Sequence, residues 1–534
     1  MMKKFFPLIA LLPLLALPAN AEDPAEPLFS WEDHYEIVSI PSPDKVDTQV
    51  GGLALTNEGE IAACFHRGEV MFYSPESKQW RLFASGLHEP LGIYVEEEGT
   101  VLVIQRSELT RLHDKDGDGR ADFYEVVCND WGVSGNYHEF TFGLVKDSQK
   151  NIYIALGTAS SGAGVREEIR GPWNDTGGLT HERFLYGGSH GDWKSKKKGI
   201  PRMYARVPYR GCVLKISPAS RRAEVYATGM RTPNGLYMDA DDQLWVSDNQ
   251  GDWVGASKLH RIQPGKFHGH VASLLWSENP PEVTPVNLPI EELEERRVRG
   301  AALMPQGDCA NSITQMLGGR KEFGLAGDPG NLIIGEMNHS RLIHYLPDTV
   351  NGMHQGATTH VLDTLSLGMG NNRLLYSADG KSLYVGKTHL SWPGREGIKL
   401  ISYTGKPYLQ AEAVKMTRRG FKIRFNSEIT IPGERSEYKI ESYRIAYHSS
   451  YGSKNYDLED EALKKVVARG KELIIELESD LKPNRVYDIR LPAEIGSSLG
   501  YLSSKRFWYT AHATHGGGNK TRGERVPAEI LQSQ

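Results

Sequence analysis

Cysteine is scarce in this chain: four residues in 534, at positions 64, 128, 212 and 309. None stands in a Cys-x-x-Cys-His, so no c-type haem is attached. The four can form at most two disulfides, in three alternative pairings, or serve as small buried hydrophobes, and both readings stay open. An excess of one charge is lacking too. Lys and Arg number 62 against 67 Asp and Glu, a net charge of −5, which excludes a general nucleic-acid footprint. Beyond residue 21 no apolar run approaches the length that spans a bilayer, so no stable membrane insertion is expected. A complete Gly-x4-Gly-Lys-Ser/Thr phosphate loop is missing.

What is abundant is glycine, 56 residues, with 24 tyrosines, a balance that favours turn-rich β structure over helix bundles. Residues 1–21 read as a secretory signal: Lys3 and Lys4, an apolar run from Phe5 to Leu17, and Ala19-Asn-Ala21 as the cleavage site. A periplasmic or secreted protein is expected.

The organising stretch is Thr228 to Ile262. Leu236-Tyr-Met238 and Leu244-Trp-Val246 are short apolar runs around an acidic turn, Asp239 to Asp242. The polar loop Ser247-Asp-Asn-Gln-Gly-Asp-Trp253 follows, too long for a tight hairpin. Comparable units begin at Gly51, Pro90, Phe140, Asn331 and Asn372. Repeats of about 40–50 residues with three or four strands mark a propeller, and the count is six blades over 35–405. Insertions at roughly 158–211 and 263–328 stretch the middle, the second carrying the one expected helix, Pro289 to Arg297. From 411 to 512 the strands alternate strictly between apolar and polar, as in Phe421-Lys-Ile-Arg-Phe425. A small fibronectin- or immunoglobulin-like β-sandwich is expected there, followed by a polar tail, 513–534. The fold class is all-β.

Arg231-Thr-Pro-Asn-Gly-Leu236, the Gln250-Gly251 loop, Lys258-Leu-His-Arg-Ile262 and Gly265-Lys-Phe-His-Gly-His270 together resemble the glucose/sorbosone dehydrogenase family. That family comprises soluble six-bladed quinoproteins that bind pyrroloquinoline quinone (PQQ) and Ca²⁺. The resemblance implies a dehydrogenase that oxidises a sugar or a related alcohol or aldehyde and passes electrons to an external acceptor. It implies His138 as general base and Arg231 as the group that polarises the cofactor's reactive carbonyl, with Thr232 and Asn234 beside it. Thr232 stands where the family usually has Asn. Gln250, Gly251 and Asp252 fall where the family holds Ca²⁺, Asp252 replacing a Pro. Arg341, Arg373 and Lys387 lie in the blades where the family keeps cations for the cofactor's carboxylates.

Separately, Asp114-Lys-Asp-Gly-Asp-Gly-Arg-Ala-Asp122 has the form of a Ca²⁺ loop, with Asp114, Asp116, Asp118 and Asp122 as ligands and no Glu at the twelfth position. An acidic turn without metal is the rival reading. Two other functions compete with the dehydrogenase: a non-catalytic propeller that binds carbohydrate or a protein partner, and a calcium-dependent lactonase-type hydrolase resting on Asn234 and Asp248.

Overall fold

The computed structural model describes residues 27–516 other than 98, 162–167, 172–201, 283–284, 326, 390–393 and 433–436. The expected signal, most of the first insertion and nearly all of the polar tail lie outside the described residues. The chain folds as an all-β propeller of six four-stranded antiparallel blades, five of them separate sheets and the fifth part of a larger one. The first blade is Val50–Leu55, Ile61–Phe65, Val70–Ser74 and Gln79–Ala84, and the second is Ile93–Glu97, Thr100–Ile104, Leu109–His113 and Phe123–Cys128. The third (Thr141–Lys146, Ile152–Leu156, Cys212–Ile216, Ala223–Thr228) spans the first insertion. The fourth (Gly235–Met238, Leu244–Asp248, Ser257–Arg261, Ala302–Met304) carries the organising stretch.

The fifth blade runs Ile313–Gly318, Leu332–Glu336, Leu342–Val350 and Met353–Val361. The sixth has Asn371–Tyr376, Ser382–Lys387 and Ile398–Tyr403 from one end of the propeller segment and Tyr35–Ile40 from the other, in register from Tyr35↔Tyr403 to Ile40↔Ile398. Pairing an early strand with a late one closes the ring without leaving a free edge there. The single α-helix among the described residues is Ile290–Arg296, one residue shorter at each end than the sequence suggests.

The core lies between blades rather than within them. Ala62, Cys64, Val70 and Phe72 of the first blade pack on Ile93, Val101, Val103 and Leu112 of the second. Each such aliphatic side chain contributes roughly 1.5–3 kcal/mol on burial. All four cysteines are buried free thiols, which selects the hydrophobe reading over the disulfides. Near the axis the inner strands approach until main chain meets main chain, and only glycine allows that. A Cβ on Gly92 would lie 1.8 Å from the carbonyl oxygen of Gly143, and one on Gly235 would lie 2.3 Å from that of Thr314.

The C-terminal strands form two sheets over one core. Ala411–Thr417, Gly420–Phe425, Glu472–Leu477 and Leu463–Arg469 make the first. The second, of Arg506–Ala511, Arg485–Arg490, Lys439–Arg444 and Tyr456–Asp460, continues the fifth blade into one eight-stranded sheet. Thr359 pairs with Phe507 and Gly356 with Thr510, so blade and C-terminal module share a ladder. Leu346, Val350 and Ala357 of the blade enter the same core as Val414, Phe421 and Ile475. The nine-residue outer strands of the fifth blade are long enough to serve both structures.

Gly92→Ala therefore costs about 1–3 kcal/mol by overpacking the seam between the second and third blades. A lowered melting midpoint by circular dichroism checks this, and an unchanged midpoint contradicts the seam.

Candidate active site

His138 sits on the turn before the third blade's inner strand, and its neighbours fix that turn. Asn136 Oδ1 accepts the N–H groups of His138 (3.0 Å) and Ser160 (3.1 Å). Arg106 donates to the carbonyls of Asn136 and Tyr137, both at 3.0 Å. The Glu139 carboxylate accepts the Ser134 N–H and hydroxyl, both at 2.8 Å. The imidazole Nδ1 lies 2.8 Å from the carbonyl oxygen of Thr158. A carbonyl only accepts, so Nδ1 carries the hydrogen and the Nε2 lone pair is left open. Nε2 faces Thr232 Oγ1 at 3.5 Å.

Arg231 and Thr232 lie on the crossing from the third blade to the fourth. Buried Asp248, paired with Lys258 at 3.0 Å, accepts both their backbone N–H groups (3.2 and 2.6 Å). Arg231 Nη1 donates to Thr232 Oγ1 at 3.1 Å and Nε to Asp252 Oδ1 at 3.0 Å. Asp252 Oδ2 lies 3.1 Å from His270 Nε2. A polar chain thus runs from His138 through Thr232 and Arg231 to Asp252 and His270. Gly251 makes room for it, since a Cβ there would meet Arg231 Nε at 1.9 Å.

His138, Arg231, Thr232, Asn234 and Gln250 line one cavity of about 960 Å³, open mouth included. Leu91, Phe140 and Phe142 give it an apolar wall, and Asn249, Asn372 and Thr388 add polar groups. Arg202 and Tyr451 are also in the lining. No Asp or Glu among the described residues lines it. Burial, then the nearby Arg231 charge, pushes the His138 pKa down to about 3, so the half-buried ring is neutral at neutral pH. For Asp252, burial favours the neutral acid, but His270 and Arg231 outweigh it and hold the carboxyl well below the usual range.

At the calcium position implied by the family pattern, several side-chain acceptors are already engaged. Both Asp252 oxygens are taken by cationic or ring N–H partners. Gln250 Oε1 accepts from Ser257 Oγ (2.7 Å) and the Ser312 N–H (2.9 Å), and the Gly251 carbonyl accepts the Gly452 N–H at 2.9 Å. Asp252 is thus committed to Arg231 and His270, and a calcium position there rests on the Gln250 and Gly251 main-chain carbonyls.

The three expected anchors are also off the cavity. Arg373 donates to carbonyls of Gly51 (2.6 Å), Leu91 (3.3 Å) and Asn234 (3.2 Å), joining four blades beneath the floor. Lys387 Nζ donates to the Leu367 and Gly368 carbonyls and to Asn371 Oδ1. Arg341 donates to the Asp308 and Cys309 carbonyls. Asp248, needed for the hydrolase reading, is committed to Lys258 and backbone N–H groups. Asn234 bonds Asn372 and Arg373.

Asp114, Asp116 and Asp118 bring carboxylate oxygens within 4.8 Å of one another on an exposed loop, without Asp122. Asp114 already accepts the N–H groups of Gly117 and Gly119, both at 2.8 Å, which holds the turn without metal. Sequence reasoning missed Arg202, Asn249, Asn372, Thr388 and Tyr451. The Asn371-Asn372-Arg373 run at a strand start was a signal for one of them; Tyr451, in the C-terminal module, offered none.

Residues 77–176 match a family model described as a domain of unknown function (DUF7133), and no curated protein matches the chain. Among solved structures, the chain is similar to the PQQ-bound aldose sugar dehydrogenase of Streptomyces coelicolor: 13% identity, 69% of this chain and 98% of that one, TM-score 0.42. The PQQ domain of pyranose dehydrogenase from Coprinopsis cinerea matches at 10% identity, 69% and 95% coverage, and TM-score 0.46. The apo aldose sugar dehydrogenase of Escherichia coli matches at 13%, 69% and 99%, with TM-score 0.43.

Burial likewise holds His268 and His344 down to about 4, and His360 and His512 to about 3. In the unfolded chain each returns to about 6.5. Below that pH the unfolded state binds the more protons, so stability falls as pH drops from about 6.5 toward 5, above the carboxylate range. Urea midpoints across that window check this, and a flat profile contradicts the buried neutral rings.

Proposed function

We propose that this chain is an exported dehydrogenase that oxidises a hydroxyl of a sugar or sugar-derived alcohol, with PQQ in the cavity and an external electron acceptor. The observation that carries this is the placement of His138 Nε2: a lone pair held open by the Thr158 carbonyl, beside Arg231, in a cavity that no carboxylate among the described residues lines.

The residues present fit an anionic, planar, oxygen-rich cofactor. Arg231 and the Asn249 amide would hold it, against the flat faces of Phe140 and Phe142. Asn249 Oδ1 is buried without a hydrogen-bond partner among the described residues, an acceptor that suits a donating hydroxyl of the sugar. PQQ, when bound, supplies the two-electron acceptor that takes hydride from the sugar carbon.

His138 takes the hydroxyl proton at Nε2. Thr158 holds the tautomer, and the Thr232 hydroxyl, 3.5 Å from Nε2, accepts from Arg231. A base with a pKa near 3 has little driving force for proton transfer. An anion bound next to Arg231 offsets that charge, the second cause of the lowered pKa, and so acts to raise it, while burial remains.

A propeller that only binds carbohydrate is the second reading. It is favoured by the commitment of Arg341, Arg373 and Lys387 to internal carbonyls. An absorbance titration with PQQ, followed by dye reduction with a panel of sugars, separates the two. Saturable binding is expected, with His138→Ala retaining it while dye reduction falls about 10²–10⁴-fold. No binding at micromolar PQQ sinks the dehydrogenase and leaves the binding propeller.

A further inference from the structure

The lip of the cavity is made by two segments far apart in sequence. Tyr447–Tyr451 of the C-terminal module pairs with Asp252–Val254 of the fourth blade, Tyr451 opposite Asp252 and Tyr447 opposite Val254. Tyr447 is pinned by its hydroxyl, which donates to the Gly269 carbonyl at 2.6 Å, and by the Trp253 ring at 5.6 Å. This ladder carries Tyr451 into the cavity wall. The Arg202 guanidinium lies over the Tyr451 ring at 4.3 Å, and that of Arg231 at 5.6 Å.

The two guanidiniums differ in one respect. Arg231 is balanced by Asp252 at 3.0 Å. Arg202 is exposed, and among the described residues nothing acidic is paired with it or lines the cavity. A guanidinium stacked on a ring loses little of its donor edge, and its planar fork matches a carboxylate. The ring also fixes a long side chain that would otherwise lose rotamer freedom on binding.

Resting on the reading that the cavity takes a sugar, we propose that Arg202, positioned by Tyr451, binds the carboxylate of an acidic sugar. The substrate class is then the uronic-acid type rather than a neutral aldose. Tyr451 is a positioning residue, and the C-terminal module completes the site by supplying it. A cofactor carboxylate has the same chemistry, so the test has an arm for each source.

The test is calorimetric titration of the full chain lacking residues 1–21 with glucuronate and with glucose, at low and high salt, beside the PQQ titration. Glucuronate is expected to bind roughly 10- to 100-fold more tightly than glucose, as a charge-assisted hydrogen bond allows, with the advantage shrinking in salt. In Arg202→Gln the two sugars bind alike. Tyr451→Leu loses several-fold on glucuronate, and Tyr451→Phe, which keeps the ring, restores it. Equal binding by the unmodified chain overturns the proposal, as does a preference that survives Arg202→Gln. A weakened PQQ titration in Arg202→Gln with the sugar preference intact also overturns it, assigning the guanidinium to the cofactor. An Arg202-dependent preference without dye reduction upholds it while the dehydrogenase reading fails. Dye reduction without any preference does the reverse.

Discussion

Asp252 is the residue on which the site depends. Its carboxylate is buried and holds two groups, Arg231 on one oxygen and His270 on the other. Its backbone starts the strand that receives Tyr451. Desolvating an ion pair is costly, and the cost is offset only where geometry and extra hydrogen bonds are good. Here both oxygens are satisfied, and Gly251 removes the Cβ that would push Arg231 away. One side chain thus fixes the guanidinium beside the base, while one stretch of backbone brings in the far lip of the cavity.

The other half of the site is held independently. Asn136, Arg106 and Glu139 lock the turn that carries His138, and the Thr158 carbonyl sets the ring's tautomer. The two halves meet across Thr232 Oγ1, bonded to Arg231 and facing His138. Burial and, after it, the Arg231 charge keep the imidazole deprotonated, so anion binding acts on base strength through the second of these. An empty cavity holds a weak base, and an anion beside Arg231 strengthens it.

The architecture was legible because a propeller repeats: short apolar strands punctuated by Gly, Asn and Asp are local signals, and six of them could be counted. The convergence of His138 and Arg231 was legible for the same reason, each lying just before an inner strand. What failed was non-local. Asp252 read as a calcium ligand because nothing near it in sequence shows the pairing with Tyr451, about 200 residues on. Arg341, Arg373 and Lys387 read as ligand anchors because the resembling family keeps cations in those blades, yet backbone carbonyls near them need donors as much as any ligand does. The C-terminal strands alternated as a half-buried sheet should, but alternation does not reveal that one sheet would grow from the edge of the fifth blade.

The most direct test of the account is the ring ¹⁵N spectrum of the histidines, with His138 assigned by His138→Gln, recorded before and after PQQ is added. The account predicts a neutral Nδ1–H tautomer in the free protein at neutral pH, and a shift of its titration toward higher pH once the anion binds. An Nε2–H tautomer, or a His138 signal indifferent to PQQ, would contradict it.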